Sequence, residues 1–488
     1  MDRLLCISDS IVKIVQTYVF SAKDKAMKAR LTQGDVPRQL IDLAGPMIFG
    51  VFSIIIFNLV DTYFIGKLGV KELAAAAYTF PIPMIVGAVA FGVGIAATSF
   101  VSMSLGSGKT DEVACYATDS LSLVLFLGII LTIIGELTIE PLFLFMGATP
   151  DLIPLISDYM SIWYLSIPFI MIPMTGNSVI RAMGNTKFPA MVMVVAAVVN
   201  FIFDPLLIFG IGPFPEMGLQ GAAVATAISR FCTLIAGMYF LHYKYGILIN
   251  PFRGFSIVLN HWRKIGQVAF PAFLNNLVNP ISMFIITKLV AKHGDVVVAG
   301  FGVGTRVESL FAIVLIGIAA SLSPFVGQNY GAKKYDRIRT ALNFANKYSV
   351  IWILFCAFFI SIFAENVAAI FNDDPVIIEV AKSYLQIMIF SIVGLAIMQN
   401  VISTHNAIGK SKTSLIISVS RIFVLYIPLA LILGETFSYQ GIYWAGFIAN
   451  MLSGLVSYYY LKRLYRSFEV SGQLVTETVE AEVGESLT

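Results

Sequence analysis

The sequence predicts an all-α integral membrane protein, with twelve transmembrane helices in two pseudo-symmetric bundles of six. The first observation is composition: 58% of the 488 residues are apolar and only 12% are charged. A soluble domain carries about 25% charged residues, so a water-soluble fold and a disordered chain are both excluded. The other two observations are a series of long uncharged segments and an internal repeat that relates the two halves of the chain.

Uncharged segments of about 20 residues recur along the chain, as spanning helices require. A membrane β-barrel would instead show alternating segments of about ten residues, and the sequence has none of these. We predict twelve spans, at approximately residues 43–66, 73–104, 116–138, 152–176, 188–210, 219–241, 267–290, 297–326, 345–364, 377–402, 413–434 and 439–461.

The distribution of Lys and Arg predicts the orientation, because short cytoplasmic loops of membrane proteins are enriched in these residues. Most of the 32 Lys and Arg residues lie in the N-terminal segment, the even-to-odd connections and the C-terminal tail. The odd-to-even connections contain only Lys67, Lys71, Lys288 and Lys292. Both termini are therefore expected to be cytoplasmic.

A shift of 225 residues superposes the second half of the chain on the first. Polar, glycine and proline positions carry this inference, because apolar residues match one another easily by chance. The matched pairs include Pro46 with Pro271, Gly69 with Gly294, Lys109 with Lys334, Tyr159 with Tyr384 and Gly184 with Gly409. Two parallel repeats around a central cavity are typical of membrane transporters.

The predicted organisation has five parts: a cytoplasmic segment 1–36, an N-terminal lobe 37–242, an inter-lobe loop 243–264, a C-terminal lobe 265–466 and a disordered acidic tail 467–488. Translation could start at Met1 or at Met27, which leaves open whether residues 1–26 are native. No cleavable signal peptide is predicted, because the apolar stretch 11–20 is short and contains Lys13.

Acidic residues near the middle of the predicted spans are the main functional candidates, because a charge at the bilayer centre costs about 2.5–3.5 kcal/mol. Asn200 and Asp204 stand at i and i+4 and therefore share a helix face. Pro205 lacks an N–H group and frees a backbone carbonyl near Phe201. The alternative is a structural role, in which such groups only hydrogen-bond to one another between helices. This role is disfavoured for two acids, because burying them for a structural contact alone is costly.

A second amide–carboxylate pair, Asn58 and Asp61, stands at i and i+3 in the first span, and Thr226 in the sixth span can add a hydroxyl. Two carboxylates in a dry cavity cannot both ionise cheaply, so Asp61 and Asp204 are expected to take up a proton near neutral pH. The same oxygens, with Asn200 and Thr226, could ligate Na+, and the sequence leaves both ions open. An organic cation would compete with the coupling ion for this negative site, which is the minimum requirement for antiport.

The acid pair is confined to the first half of the chain. The 225-residue shift aligns Asp61 with Ile286, Asp204 with Leu429 and Asn200 with Leu425. Glu308 is interpreted as a structural partner of Arg306 or as an interfacial acid. Three further basic residues are expected near helix ends, where long side chains reach the interface: Arg230, Lys382 and Arg421.

These features together resemble the multidrug and toxic compound extrusion (MATE) family, from about Gly34 to Arg466. The segments that carry the resemblance are NLVDTYFIGKLG at 58–69, RAMGNTK at 181–187, NFIFDPLLIFG at 200–210, GLQGAAVATA at 218–227 and PFVGQNYG at 324–331. Acids confined to the first half resemble the DinF-like branch. The NorM-like branch carries cation-site carboxylates in its seventh and tenth helices, where this chain has only Glu379, at an outer end.

The resemblance implies a multidrug efflux antiporter that contributes to antibiotic resistance. Its substrates would be cationic and amphipathic drugs, driven by inward H+ or Na+, in a monomer that uses no cofactor and lies in a bacterial inner membrane. The implied residue roles are the coupling ion at Asp61, Asn200, Asp204 and Thr226, the substrate cavity at Asn58 and Asn177, and a hinge of the first helix at Pro46.

The main alternative is a lipid-linked oligosaccharide flippase of the same superfamily. It is disfavoured because such proteins usually have fourteen spans and basic central cavities. An enzyme is not expected, because the sequence shows no Ser/Lys or His/Glu constellation, and the four His residues (242, 261, 293 and 405) lie near predicted helix ends. The sequence also has no Walker-type phosphate loop for ATP. Four scattered cysteines signal no disulfide or zinc site, and a net charge of +3 is too small to suggest nucleic acid.

Overall fold

The computed structural model describes residues 28–251 and 253–485, with side chains up to Glu469 except at positions 58 and 59. The choice between Met1 and Met27, and most of the predicted segment 1–36, lie outside the described residues. The helices in chain order are α1 Val36–Leu68, α2 Val70–Thr79, α3 Pro81–Gly106, α4 Thr110–Phe145, α5 Ile153–Leu165, α6 Ile167–Ala182, α7 Lys187–Ile208, α8 Gly218–Tyr239, α9 Phe255–Ala291, α10 Asp295–Gly331, α11 Tyr335–Ala369, α12 Pro375–Ala407, α13 Ser411–Val419 and α14 Ile427–Glu485. Two π-helices, Phe240–Tyr245 and Ser420–Tyr426, continue α8 and join α13 to α14.

The described residues provide twelve membrane spans. Ten helices are long and apolar enough to cross a membrane, and α5 with α6, which meet at 44°, form an eleventh. One of the ten, Ser411–Glu469, has 59 residues, and a straight helix of that size would measure about 90 Å, three times the hydrocarbon thickness. Its backbone leaves the helical region at Phe437 and Ser438, so it contains two spans. The predicted twelve-helix fold is therefore confirmed.

The chain forms two compact units. Unit 1 contains Gly50–Gly266 and the described residues up to Arg30, and unit 2 contains Leu31–Phe49 and Gln267–Thr488. The predicted N-terminal lobe began at residue 37, whereas the start of α1 packs with unit 2. The connection before α9 is also shorter than the predicted loop 243–264, because that helix begins at Phe255.

Local contacts explain why the start of α1 belongs to unit 2. A Cβ atom at Gly317 would lie 2.3 Å from Cγ1 of Ile48, so glycine is the residue that lets α1 and α10 approach here. The Leu31 amide donates a hydrogen bond to Oε1 of Gln328 at 3.1 Å. Arg337 donates to the Leu31 carbonyl at 3.1 Å and to the Gly34 carbonyl at 2.7 Å. These contacts fix the entry of the chain into its first span.

The internal repeat is visible in the backbone of each unit. Gly184 and Gly409, one repeat apart, follow helices with φ angles of 83° and 75°. Glycine adopts these left-handed angles without steric cost. Gly108 has φ 77°, and its repeat mate Lys333 adopts φ 58°. The same turn is therefore kept in the second half although its residue there is not glycine.

The last helix continues to Glu485, through most of the segment 467–488 for which the sequence predicts a disordered tail. Extending an existing helix needs no new nucleation, because each added residue gains a hydrogen bond. The segment contains five Glu residues, which have good helix propensity. Charge alone was therefore a poor guide to the conformation of this end.

Candidate functional site

Asn200 and Asp204 form the centre of the candidate coupling site, which we define as Asp61, Asn200 and Asp204. Both residues of α7 are fully buried. The Asn200 side-chain nitrogen donates a hydrogen bond to Oδ1 of Asp204 at 2.9 Å. The structure therefore brings the predicted i, i+4 pair together on one face. Pro205 lies within the same helix and supplies no N–H group to the carbonyl one turn earlier.

Three buried oxygens of this site have no hydrogen-bond partner among the described residues: Oδ1 of Asp61, Oδ1 of Asn200 and Oδ2 of Asp204. A buried oxygen without a donor carries a desolvation cost of about 1–3 kcal/mol, and more when it is charged. Asp61 is half-buried and lies within electrostatic range of Asp204. Two acids and an amide thus present acceptor atoms that suit a proton or a hard cation.

Tyr159 was not among the predicted site residues, although its match with Tyr384 was one of the repeat markers. It is buried and lies within electrostatic range of both Asp61 and Asp204. In unit 2, the hydroxyl of Tyr384 donates a hydrogen bond to a carboxylate oxygen of Glu308. Each unit therefore places the repeated tyrosine beside an acid, and the repeat itself was the signal that could have identified it.

The remaining predicted residues lie in different surroundings. Thr226 is buried on α8, which packs against α7. Asn177 on α6 is buried, and no described residue forms a hydrogen bond with its Oδ1 atom. The side chain of Asn58 lies outside the described residues. Pro46 lies inside α1, in the part that belongs to unit 2, whereas Asp61 lies in the part that belongs to unit 1.

Arg230 and Arg421 do not lie at helix ends, so that sequence interpretation was wrong for both. Arg230 stands in the middle of the span Gly218–Tyr245, within electrostatic range of Asp61. Its guanidinium carbon lies 5.3 Å from the centre of the Phe57 ring. The predicted span 219–241 already has Arg230 at its middle, so its position could have been predicted from the sequence, whereas its neighbours in space could not.

Unit 2 contains a second polar cluster. Arg421 is buried on the π-helix and donates to Oδ1 of Asn450 at 2.9 Å and to Oδ1 of Asn279 at 3.2 Å. Glu308 is half-buried and accepts from Tyr384, whereas Arg306 is exposed. The predicted partnership of Glu308 with Arg306 was therefore wrong. The second half lacks the acid pair of the first half but has its own buried charge.

A third polar cluster lies on α4. It holds the connection between the π-helix Phe240–Tyr245 and α9 in place against α4. Asp119 is fully buried, and its Oδ2 atom accepts from Arg253 at 2.6 Å and lies 2.5 Å from Nδ1 of His261. The Ile249 amide donates to the Thr118 hydroxyl at 3.1 Å. Sequence reasoning placed His261 at an interface and did not single out Asp119. The described residues contain no group of three or more His, Cys, Asp and Glu residues with metal-binding geometry.

The family model described as MatE matches the chain twice, at residues 46–206 and 271–432. The two matches begin 225 residues apart, which is the spacing of the internal repeat. Together they cover well over half of the chain. The chain belongs to the MATE family. Members of this family are transporters, so this MATE protein is a membrane transporter and not an enzyme, as the sequence predicted.

Three similar proteins illustrate the relationship. The FAD transporter of Shewanella oneidensis is 35% identical over 434 residues, which is 89% of this chain and 96% of that protein. The probable multidrug resistance protein NorM of Thermotoga maritima is 25% identical over 86% of this chain and 90% of that protein. The crystal structure of the Vibrio cholerae MATE transporter VcmN in the bent form has a TM-score of 0.84 and 29% identity, covering 89% and 98% of the two chains.

Proposed function

We propose that this MATE transporter is a secondary active exporter that couples substrate efflux to inward flow of H+ or Na+ at Asp61, Asn200 and Asp204. The observation that carries the proposal is a set of three buried acceptor oxygens at these residues, for which the described part of the chain supplies no hydrogen-bond partner. Such oxygens are stabilised by binding a proton or a small hard cation. Because the chain belongs to a family of transporters, we interpret these oxygens as an ion site and not as a static polar contact between helices.

A change in the charge of this site can change the conformation of the helices that carry it. With both acids ionised, the site repels itself and attracts a cation. A proton removes one charge and turns a carboxylate oxygen from an acceptor into a donor, so its hydrogen bonds must rearrange. Asp61 lies on α1 and Asp204 on α7, so the rearrangement acts on two helices of unit 1. A hinge at Pro46 would let α1 respond, because a proline inside a helix leaves one backbone hydrogen bond unmade.

For the substrate, we propose cationic and amphipathic drugs, which fit the negative charge of the site and the multidrug names of several relatives. A second candidate is a flavin nucleotide such as FAD. It is favoured by the 35% identity to the FAD transporter, which exceeds the 22–25% identity to the multidrug proteins compared with this chain. Flavin nucleotides are anions, and an interior-negative membrane potential would assist their export by about 2.3 kcal/mol per charge per 100 mV.

The decisive experiment uses the purified protein in lipid vesicles with an imposed H+ or Na+ gradient, one ion at a time. We expect accelerated export of a cationic dye or of FAD under one of the two gradients, and no effect of the gradient in the double variant Asp61→Asn, Asp204→Asn. Transport that ignores both gradients would refute ion coupling. We also propose that the protein is a DinF-like member of the family and acts as a monomer in a bacterial cytoplasmic membrane. Both termini would lie on the cytoplasmic side, and accessibility labelling of the termini tests this orientation.

A further inference from the structure

Arg421 is a buried cation inside a predicted membrane span. It is 9% exposed and stands ten residues after the start of α13, on the π-helix Ser420–Tyr426. Charged residues in this position are costly and usually functional. π-helical turns within longer helices also occur frequently at functional sites. Two independent features therefore single out the same residue.

The contacts of Arg421 leave its charge without a direct counter-ion. Its two terminal nitrogens donate to the side-chain oxygens of Asn450 and Asn279, which are neutral. Its Nε atom is buried and has no hydrogen-bond partner in the part of the chain that the structure describes. Arg421 forms no ion pair with any acid of the described residues. Glu308 lies within electrostatic range of Arg421 but accepts its hydrogen bond from the hydroxyl of Tyr384. The guanidinium thus keeps both charge and donor capacity for a further group.

The surroundings hold this guanidinium in place. The Asn450 side-chain nitrogen donates to the Ser391 hydroxyl at 3.0 Å, which directs the Asn450 oxygen to Arg421. A Cβ atom at Gly394 would lie 2.2 Å from the Asn450 carbonyl oxygen, so α12 and α14 touch backbone to backbone at this point. Asn279 is exposed, so the cluster is open on the α9 side. The guanidinium is therefore held by two amides, of which one is buried and one is exposed.

The internal repeat shows that this charge is specific to the second half. The 225-residue shift aligns Arg421 with Ala196, one helical turn before Asn200 in the acid site. Conversely, Asp204 aligns with Leu429. Equivalent helices of the two units therefore carry opposite charges. A site that suits cations in unit 1 is matched by a site that suits anions in unit 2.

We propose that Arg421, supported by Asn279 and Asn450, binds a phosphate group of the transported substrate. This inference rests on the second candidate function, export of a flavin nucleotide, and names the part of the substrate that unit 2 holds. A planar guanidinium presents N–H groups in a fork that matches two phosphate oxygens. The neutral amides orient the fork without cancelling its charge.

The test measures binding of three flavins that differ in phosphate content: riboflavin with none, FMN with one and FAD with two. Quenching of flavin fluorescence by the purified full-length protein gives each affinity. We expect the wild type to bind FMN and FAD more tightly than riboflavin. Arg421→Gln should weaken FMN and FAD by about tenfold or more, as for loss of a charge-assisted hydrogen bond, and leave riboflavin unchanged. Arg306→Gln, which removes an exposed charge of unit 2, should alter none of the three.

The outcomes separate the two proposals. A phosphate preference that persists in Arg421→Gln, or a wild type that binds all three flavins equally, overturns the assignment to Arg421. If that variant does not fold, Arg421→Lys serves instead, because it keeps the charge and loses the fork. Full phosphate preference in the Lys variant also overturns the assignment. FAD transport in vesicles is measured separately: phosphate-dependent binding without transport refutes flavin export but leaves the phosphate site standing.

Discussion

The side-chain nitrogen of Asn200 lies 2.9 Å from Oδ1 of Asp204, one helical turn away, and no described residue is a hydrogen-bond partner of the second carboxylate oxygen of Asp204. One oxygen is thus held by the protein and the other is available. This division suits an ion site, because the bonded oxygen fixes the orientation of the carboxylate while the free oxygen binds. A purely structural pair would leave fewer buried oxygens unsatisfied.

The coupling site predicts the effect of removing its charges. Asp61→Asn and Asp204→Asn should each abolish gradient-driven transport in vesicles, because the amide keeps the size of the carboxylate but cannot take up a proton. Both variants should remain folded and inserted, as judged by detergent extraction and thermal unfolding. The exposed acid Asp111 provides the control, and Asp111→Asn should transport normally. Near-normal transport by both site variants would refute the coupling role.

Binding of a cationic dye should depend on pH. As the pH falls, the acid pair takes up a proton, loses negative charge and binds a monovalent cation more weakly. Burial and mutual repulsion of the two carboxylates place this change between about pH 5 and 8. Dye affinity, measured by fluorescence in detergent, should therefore decrease towards low pH and become independent of pH in the double Asn variant. A flat wild-type curve combined with a dependence on Na+ concentration would favour sodium as the coupling ion.

The hinge proposal concerns the two repeated prolines. Pro46→Ala restores a backbone hydrogen bond in α1 and should lower the transport rate more than it changes the unfolding temperature. Pro271 is its repeat mate in α9, a helix without site acids, and Pro271→Ala should have the smaller effect on transport. Both rates and both unfolding temperatures are to be measured in the same vesicle and detergent preparations. Equal losses of transport would mean that both prolines are merely structural.

Close packing of α8 against α7 positions the site and depends on one glycine. A Cβ atom at Gly221 would lie 2.5 Å from the Leu207 carbonyl oxygen, whereas one at Gly237 of the same helix would meet nothing within 4 Å. Gly221→Ala should therefore destabilise the protein by about 1–3 kcal/mol and impair transport. Gly237→Ala should be neutral or stabilising by up to about 1 kcal/mol, because alanine favours the helix. A harmless Gly221→Ala would show that α7 and α8 can separate without consequence.

The cluster at Asp119 should contribute to stability in unit 1. Asp119→Asn leaves Arg253 and His261 without the carboxylate that both contact. Loss of one member of a buried charge pair costs about 3–5 kcal/mol, so the unfolding temperature should fall clearly. The matched control is Glu112→Gln in the exposed pair with Lys109, where a change of about 0–1 kcal/mol is expected. Similar small effects in both variants would show that the Asp119 contacts are individually dispensable.

The sequence by itself determined the helical membrane fold, the twelve spans and the repeat. These properties follow from the composition of the chain and from the spacing of its repeat, both of which can be read along the sequence without knowledge of the tertiary structure. A segment that is apolar over about 20 positions must lie in lipid or in the protein interior. Glycines that recur at a fixed spacing mark the same turn in both halves of the chain. The pairing of Asn200 with Asp204 was predictable for the same reason, because helix geometry alone places residues four apart on one face.

Only the tertiary structure decided which polar residues meet across helices. Asp119 with His261, Arg421 with Asn450, and Glu308 with Tyr384 are separated by 142, 29 and 76 residues. Spacing carries no information at such distances. A buried arginine and an interfacial one look alike in sequence, since both are a single cation among apolar residues. Their difference is the presence of amide and hydroxyl partners, which depends on how helices rotate and pack. For Arg421 that packing gives a buried, amide-bonded charge where a position near a helix end was expected.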